Sequence, residues 1–161
     1  MSTHIVPAQI SHAPAISNMI HDMLDLFLVG SSKAAQTSFF NDYFSADALV
    51  PYLADELHDY YVMQSSHGDI IGVIGLYNAR HIRHLFVARN YHGNGYARQL
   101  WNHAMPLMLS KNSTDKPFTV NSSVYAISTY RAFGFLGKEE DIRREHGIEY
   151  LPMYRAILQP L

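Results

Sequence analysis

The sequence of 161 residues predicts an α/β (α+β) fold with a sheet of mixed strand direction. Three observations lead to this prediction. Apolar residues at helical spacing dominate the N-terminal third, consecutive β-prone segments follow, and one of these runs through a glycine-bearing loop directly into another helix. The predicted order is two helices, three strands, a helix, a strand, a helix and a last strand.

The N-terminal third is predicted to be helical. Apolar residues recur at helical spacing in a first helix that is expected to run from Ser11, a candidate N-cap, to Val29. A polar turn follows. A second helix is expected from about Ala46 to Leu57, with Ser45 as its cap.

The middle of the chain is predicted to form a sheet. Residues 60–64 and 69–77 flank the turn-like cluster Ser-Ser-His-Gly and are expected to pair as an antiparallel hairpin. A third strand, 82–87, is expected to place Ile82, His84 and Phe86 on one face because side chains alternate along a strand.

The C-terminal half alternates helices and strands. The helix after the glycine loop is expected to end or kink at Pro106, which lacks a backbone donor. Residues 118–124 are β-prone, residues 127–133 are expected to form a helix that Gly134 stops, and a last strand is expected from Ile148 to Leu158.

The loop His92-Gly93-Asn94-Gly95-Tyr96-Ala97 has the features of an anion-binding site. Its glycines let a ligand approach the main chain, and the first turn of the following helix has N–H groups without internal partners. A plain strand-to-helix turn is the alternative. The chain contains no P-loop string, and Arg98 stands where a dinucleotide fingerprint needs a small residue.

Composition limits the classes of function. The length suits a single domain over residues 1–161, and a net charge of −2 disfavours nucleic acid as a partner without excluding a local basic patch. The chain has no cysteine, no signal-peptide pattern and no long apolar run, so we expect a cytoplasmic protein that does not contact membranes.

Ten histidines raise the question of a metal site. His81 and His84 are three residues apart on a predicted strand, which should direct them to opposite faces. No His-Glu-x-x-His string or cysteine is present, so no metal is expected.

Two strings resemble the GNAT N-acetyltransferase superfamily. LFVARNYHGNGYARQLW is similar to its signature segment, with His92, Gly95 and Ala97 at the motif positions; His92 replaces the usual Arg or Gln. VNSSVYAISTYRAFGF is similar to its second motif, and Ser123 stands where Asn is common. With the tail HGIEYLPMYRAI, the resemblance extends from about Asp69 to the C-terminus and suggests a small single-domain bacterial-type member.

The resemblance implies a mixed, mostly antiparallel sheet flanked by helices, with a splayed parallel strand pair that forms a cleft for acetyl-CoA. The cofactor-binding residues that it implies are Leu85, Phe86, Val87, His92, Gly93, Asn94, Gly95, Tyr96, Ala97, Arg98 and Ser123. The pantetheine would pair with the strand, and the diphosphate would bind the loop amides.

The implied reaction is direct attack of a neutral amine on the thioester. Tyr130 occupies the family position of the acid that protonates the leaving thiolate, since a phenol can supply this proton. His84 is a candidate base, and a water chain is the alternative.

The acceptor is expected to be a primary amine of a small molecule or peptide. The aromatic run from Phe39 to Tyr61, interspersed with acidic residues, favours a cationic amine; the acids are Asp42, Asp47, Asp55 and Glu56. Two other classes stay open at this stage: a non-catalytic acyl-CoA sensor, and an acetyltransferase for aminoacyl-tRNA. A homodimer is also left open.

Overall fold

The computed structural model describes residues 2–112 and 115–157. Within these residues the helices are α1 (Ala13–His21), α2 (Leu24–Phe27), α3 (Lys33–Tyr43), α4 (Ala46–Ala54), α5 (Tyr96–Lys111) and α6 (Ile127–Ala132). The strands are β1 (Thr3–Pro7), β2 (His58–Ser65), β3 (Ile70–Tyr77), β4 (His81–Val87), β5 (Phe118–Ser123), β6 (Arg143–Glu145) and β7 (Ile148–Arg155).

The described strands form one sheet in the order β1-β2-β3-β4-β5-β7-β6. Neighbouring strands are antiparallel except for β4 and β5, which are parallel. The predicted fold class is therefore confirmed: the sheet is mixed, mostly antiparallel and flanked by helices. The expected hairpin is confirmed as well, since β2 and β3 pair antiparallel.

Apolar side chains cover both faces of the sheet. On one face α5 and α6 pack through Trp101 and Phe133, whose rings stack with centroids 5.9 Å apart. On the other face α1 and α4 bury Ile16, Ile20 and Leu49 against β2 and β3. The long apolar strand β3 lies between these two cores, which explains why its sequence does not alternate.

The N-terminal third differs from the prediction in three elements. The expected first helix is divided into α1 and α2 because Met23 leaves helical geometry, with φ −115° and ψ 6°. Helix α3 was not predicted: it has no fully buried residue, so its apolar pattern is weak, and Ser32 caps it by accepting from the amide of Ala35. Strand β1 was missed because it is a five-residue, partly exposed edge strand.

Three differences occur in the C-terminal half. Helix α5 continues through Pro106 to Lys111, so of the two expected effects of this proline the end is wrong, and the kink stays a prediction. Burial of Leu100, Trp101, Ala104 and Met108 offsets the lost hydrogen bond. Strand β6 was missed because its three residues are all exposed. The last strand ends at Arg155, and the predicted end at Leu158 lies outside the described residues.

A β-bulge in β4 changes the predicted alternation. Gly75 pairs with His84, but the next residue of β3 pairs with Ile82, so Arg83 is an extra residue on β4. Ile82 therefore packs in the α5 core, whereas His84 and Phe86 contact the rings on the other face. The prediction that Ile82 shares a face with His84 is wrong for this reason.

The two parallel strands separate soon after they meet. Strands β4 and β5 share only two paired positions, which are His81 with Thr119 and Ile82 with Val120. Beyond Ile82 the two strands diverge, which leaves the sheet open beside Leu85 to Val87. The splayed parallel pair implied by the family resemblance is present.

Gly75 lets a buried hydrogen bond cross the middle of the sheet. Tyr60, Gly75 and His84 are neighbours on three adjacent strands, and the Tyr60 hydroxyl lies 2.8 Å from Nδ1 of His84. A Cβ on Gly75 would overlap the Cε1 and Cζ atoms of the Tyr60 ring. The absent side chain is therefore what allows the tyrosine ring to reach across β3.

We expect Gly75→Ala to destabilise the fold by about 1–3 kcal/mol, because the added methyl group overlaps the Tyr60 ring in a packed core. Urea denaturation measures the change. The matched control is the same substitution in a Tyr60→Leu background, which lacks the ring atoms that clash. An equal loss of stability in both backgrounds would contradict the steric explanation.

Candidate active site

Two cavities meet at the opening between β4 and β5. We call the first, of about 260 Å³, the loop cleft, because the glycine loop and the first turn of α5 form one of its walls. We call the second, of about 360 Å³, the ring cavity, because aromatic residues of α3 and α4 line it. Both cavities are lined by Phe27, Leu85, Phe86, Ser123, Ala126 and Tyr130.

The glycine loop presents a run of backbone donors. Gly93 and Gly95 have φ of 80° and 77°, and a Cβ on either glycine would meet no protein atom within 4 Å. The first backbone amide of α5 that donates to a main-chain carbonyl is that of Gln99, and its acceptor is the carbonyl oxygen of Gly95. The amides of residues 93–98 donate to no described residue. Together with the positive end of the helix dipole, they form an anion-binding surface.

His92 and Asn94 hold this loop in place. Nε2 of His92 lies 2.6 Å from the carbonyl oxygen of Val87, so this nitrogen carries the proton and donates. The other ring nitrogen lies 3.3 Å from the hydroxyl of Tyr125. The Asn94 amide donates to the carbonyls of Tyr91 and His92. His92 lines the loop cleft and Asn94 does not.

The remaining predicted cofactor residues occupy different places. Ser123 lies at the end of β5, lines both cavities and accepts a hydrogen bond from the amide of Ala126, so it caps the turn that leads into α6. Arg98 does not line the loop cleft. Its guanidinium lies 5.1 Å from the Phe133 ring centroid and donates to the carbonyl of Ala132, which ties α5 to α6. The predicted role of Arg98 at a phosphate stays a prediction.

Tyr130 lies at the boundary between the cavities. It is 5% exposed, and its ring packs edge-on against Phe133 and Phe135. No described residue forms a hydrogen bond with its hydroxyl. Burial raises the pKa of the phenol, so Tyr130 is protonated at neutral pH.

His84 lies on the wall of the ring cavity and is 7% exposed. Burial first, and then the positive charge of Arg83, lower its pKa to about 3. Its Nδ1 is bonded to Tyr60. If Tyr60 donates this bond, no buried hydroxyl proton is left unpaired, and Nε2 of His84 carries the ring proton. The predicted role as a base stays a prediction.

His81 lines the ring cavity as well, and its Nδ1 lies 2.8 Å from the Thr119 hydroxyl. The expectation that His81 and His84 point to opposite faces is wrong, because the bulge at Arg83 adds one residue between them.

Among the described residues no three His, Cys, Asp or Glu side chains lie together as a potential metal site. In the same part of the chain, no helix combines the length and hydropathy that crossing a bilayer requires.

The loop cleft fits an extended ligand with a diphosphate. It offers a strand edge at Leu85 to Val87, apolar walls, and free amides at one end. Main-chain pairing with a strand and amide binding of phosphate need no particular side chain.

A family model of the acetyltransferase (GNAT) domain matches residues 28–157. The chain belongs to the GNAT acetyltransferase family. It is an acyltransferase that uses acetyl-CoA, and the resemblance inferred from the two sequence motifs is confirmed. No curated protein is significantly similar to the chain in sequence.

Solved structures show the same fold. The PaiA N-acetyltransferase of Thermoplasma acidophilum in complex with coenzyme A has a TM-score of 0.82 at 15% identity, over 98% of this chain and 100% of that one. A GCN5-related N-acetyltransferase of Rhodopseudomonas palustris has a TM-score of 0.80 at 15% identity, with 98% and 97% covered. Spermidine N-acetyltransferase of Vibrio cholerae, in complex with CoA and spermine, has a TM-score of 0.67 at 16% identity, with 96% and 95% covered.

Several lining residues escaped sequence analysis. Tyr125 and Thr129 line the loop cleft next to Tyr130, and their place in the second motif could have indicated them. Arg83 was missed because a bulge cannot be inferred from alternation alone. The rings of Phe39, Tyr43, Phe44 and Tyr52 do line the ring cavity. The acids expected beside them do not; the acids that line it are Glu145 and Glu149.

We expect Gly95→Val to weaken acetyl-CoA binding at least about 10-fold, because the side chain would stand over the free amides. Calorimetric titration measures the affinity. Gly68→Val is the matched control, because Gly68 has φ of 87°, also faces open space and lies in the β2–β3 turn. Both variants should lose similar stability from the left-handed backbone, roughly 1–2 kcal/mol. Unchanged cofactor affinity in Gly95→Val would contradict the loop assignment.

The depressed pKa of His84 makes stability depend on pH. The unfolded chain binds a proton at His84 near pH 6.5, whereas the folded chain resists protonation down to a pKa of about 3. Stability from this residue is therefore present above pH 6.5 and is lost as the pH falls toward 3. Between about pH 7 and pH 5, we expect the unfolding free energy to fall by on the order of 1 kcal/mol more in the wild type than in His84→Gln. Urea titrations at both pH values measure this difference, and equal losses would contradict the assigned pKa.

Proposed function

We propose that the protein transfers the acetyl group of acetyl-CoA to a primary amine of a small molecule or peptide. The single observation that carries this proposal is the position of Tyr130, which lines both the loop cleft and the ring cavity and whose hydroxyl forms no hydrogen bond with a described residue. One cavity would hold the cofactor and the other the acceptor. The cytoplasmic location and the single domain stay predictions, as does the open question of a homodimer.

Acetyl-CoA, when bound, supplies a thioester whose carbonyl carbon a neutral amine can attack, with the coenzyme A thiolate as leaving group. In the loop cleft, the amides of residues 93–98 would bind the diphosphate and the edge of β4 from Leu85 to Val87 would pair with the pantetheine. This arrangement would place the thioester sulfur on the side of Tyr130. His92 would act by holding the loop against β4, since its ring already bonds Val87.

Tyr130 would donate the proton that the leaving sulfur needs. Because burial raises the pKa of the phenol, Tyr130 keeps its proton until negative charge develops on the sulfur beside it. The contacts with Phe133 and Phe135 limit the rotation of the Tyr130 ring, which would keep the hydroxyl in one position. A proton donor held in position in this way would lower the activation free energy of acetyl transfer.

We propose that water, rather than His84, takes the proton of the amine. A histidine with a pKa of about 3 holds a proton poorly at neutral pH, and its Nδ1 is already bonded to Tyr60. The water pathway is the alternative that the sequence analysis left open. His84 would then donate a hydrogen bond from Nε2 into the ring cavity.

An acceptor panel with detection of free coenzyme A tests the proposed function, with a reaction lacking acceptor as the baseline. We expect release above the baseline with at least one class of primary amine. Release at the baseline rate with every amine, together with tight acetyl-CoA binding, would favour the sensor alternative instead.

We expect Tyr130→Phe to lower kcat about 100-fold and to change the Kd for acetyl-CoA less than twofold, because only the donated proton is removed. Steady-state kinetics and calorimetry measure the two effects. Tyr154→Phe is the matched control, since Tyr154 is 49% exposed and lines neither cavity. Wild-type turnover in Tyr130→Phe would leave Tyr130 with a packing role alone.

A further inference from the structure

Arg83 is a charged residue on the wall of the ring cavity, and its guanidinium forms neither an ion pair nor a hydrogen bond with a described residue. As the extra residue of the β4 bulge, it lies over the face of two tyrosine rings, 5.0 Å from the centroid of Tyr52 and 5.1 Å from that of Tyr77. Its Nε is buried and bonds to no acceptor. None of the ion pairs between described residues includes Arg83.

The surroundings only weakly offset the charge of this guanidinium. Hydrogen bonds from Leu57 and His58 lower the pKa of Asp55 most. The charge of Arg83 lowers the same pKa least, and Asp55 forms no ion pair with Arg83.

Glu145 and Glu149 line the ring cavity but are exposed on the β6–β7 hairpin, and neither forms an ion pair with Arg83. Burial first, and then the positive charge of Arg83, lower the pKa of His81 and of His84, so both are neutral at pH 7. A guanidinium without an ion pair, whose own buried Nε–H has no acceptor, costs free energy that a bound anion would recover.

We propose that Arg83 binds an anionic oxygen group on the acceptor, either a carboxylate or a phosphate. This inference rests on the proposed function, because it takes the ring cavity as the acceptor site. A guanidinium that lies over two rings presents the N–H groups of its planar fork to the paired oxygens of these groups.

The charge of Arg83 also limits the class of acceptor. An acceptor that carries an anionic group as well as its amine, such as an amino acid or an amino phosphate, would pair that group with the guanidinium. A polyamine such as the spermine bound by the Vibrio cholerae enzyme would bring positive charge toward Arg83, so the site disfavours it.

The first test compares acceptors that share one aromatic group and differ in charge: L-phenylalanine, L-phenylalaninamide and phenethylamine. A second set, O-phosphoethanolamine and ethanolamine, separates phosphate from carboxylate, and spermidine represents polycations. For each acceptor the kcat/KM of the wild type is divided by that of Arg83→Gln, so that differences in amine basicity cancel. We expect a ratio of about 10 or more for the anionic acceptor that fits, mainly through KM, and ratios within about twofold for the uncharged analogues.

Two further variants identify the cause of any change. Arg83→Lys keeps the charge but not the fork, so it should recover only part of the preference. Lys138→Gln removes one exposed positive charge outside both cavities and should leave all ratios near one. Thermal denaturation of each variant checks that the fold is retained.

A binding measurement separates this inference from the proposed function. N-acetyl-L-phenylalanine and N-acetyl-phosphoethanolamine are titrated into the coenzyme A complex of the wild type and of Arg83→Gln. Binding of one of them that weakens about 10-fold in the variant supports the role of Arg83 even if no acceptor turns over. The proposed role is overturned if Arg83→Gln changes all acceptors equally, if spermidine or phenethylamine is preferred, or if neither acetylated anion binds through Arg83.

Discussion

The separation of two parallel strands is the constraint on which the rest of the structure depends. Because β4 and β5 share only two paired positions, the sheet opens beside Leu85 to Val87, where main-chain groups of β4 face a cleft instead of a neighbouring strand. Every part of the site is arranged around this opening. The glycine loop lies at one end, Tyr130 lies in the middle, and the ring cavity lies on the far side.

The sheet around the opening is kept in place by contacts that have no direct part in chemistry. Trp101 of α5 stacks on Phe133, the residue that follows α6, and the guanidinium of Arg98 lies over the same Phe133 ring, so the helices that follow the two splayed strands are joined. The side chain of His92 ties the loop to the last carbonyl of β4. These contacts fix the loop and Tyr130 relative to each other, which the proposed reaction between two bound substrates requires.

A glycine and a bulge shape the second cavity. Gly75 leaves room for the Tyr60 ring to cross β3 and bond His84, which makes this histidine part of the buried wall. The extra residue at Arg83 turns His81, Arg83 and His84 toward one cavity. The same irregularity therefore places a positive charge on the wall of the ring cavity, and the acids that line this cavity among the described residues are Glu145 and Glu149 of the exposed hairpin.

The sequence predicts the parts of the fold that rest on strong local patterns. The hairpin, the strand-loop-helix unit and the last helix were found because alternation, glycine and helical spacing are local properties. Strands β1 and β6 were missed because they are short and partly or fully exposed, and they are stabilised by pairing with β2 and β7. The α5 helix passes Pro106 because tertiary burial outweighs one lost bond.

The candidate site likewise contains residues that local sequence patterns predict and residues that they do not. Ten of the predicted catalytic and cofactor residues line the loop cleft, whereas Asn94, Arg98 and His84 do not; the ten are Leu85, Phe86, Val87, His92, Gly93, Gly95, Tyr96, Ala97, Ser123 and Tyr130. The motif strings locate main-chain features well because glycine spacing determines them. They cannot locate Arg83, whose direction depends on the pairing register between two strands.

The most direct measurement is a titration of isotope-labelled protein with coenzyme A, followed by the backbone amide signals in nuclear magnetic resonance. If the free amides of the loop bind the diphosphate, the largest shifts occur at residues 93–98, with further shifts along β4 from Leu85 to Val87. Saturation of binding with these amides unchanged, and with the largest shifts elsewhere in the chain, would contradict this account.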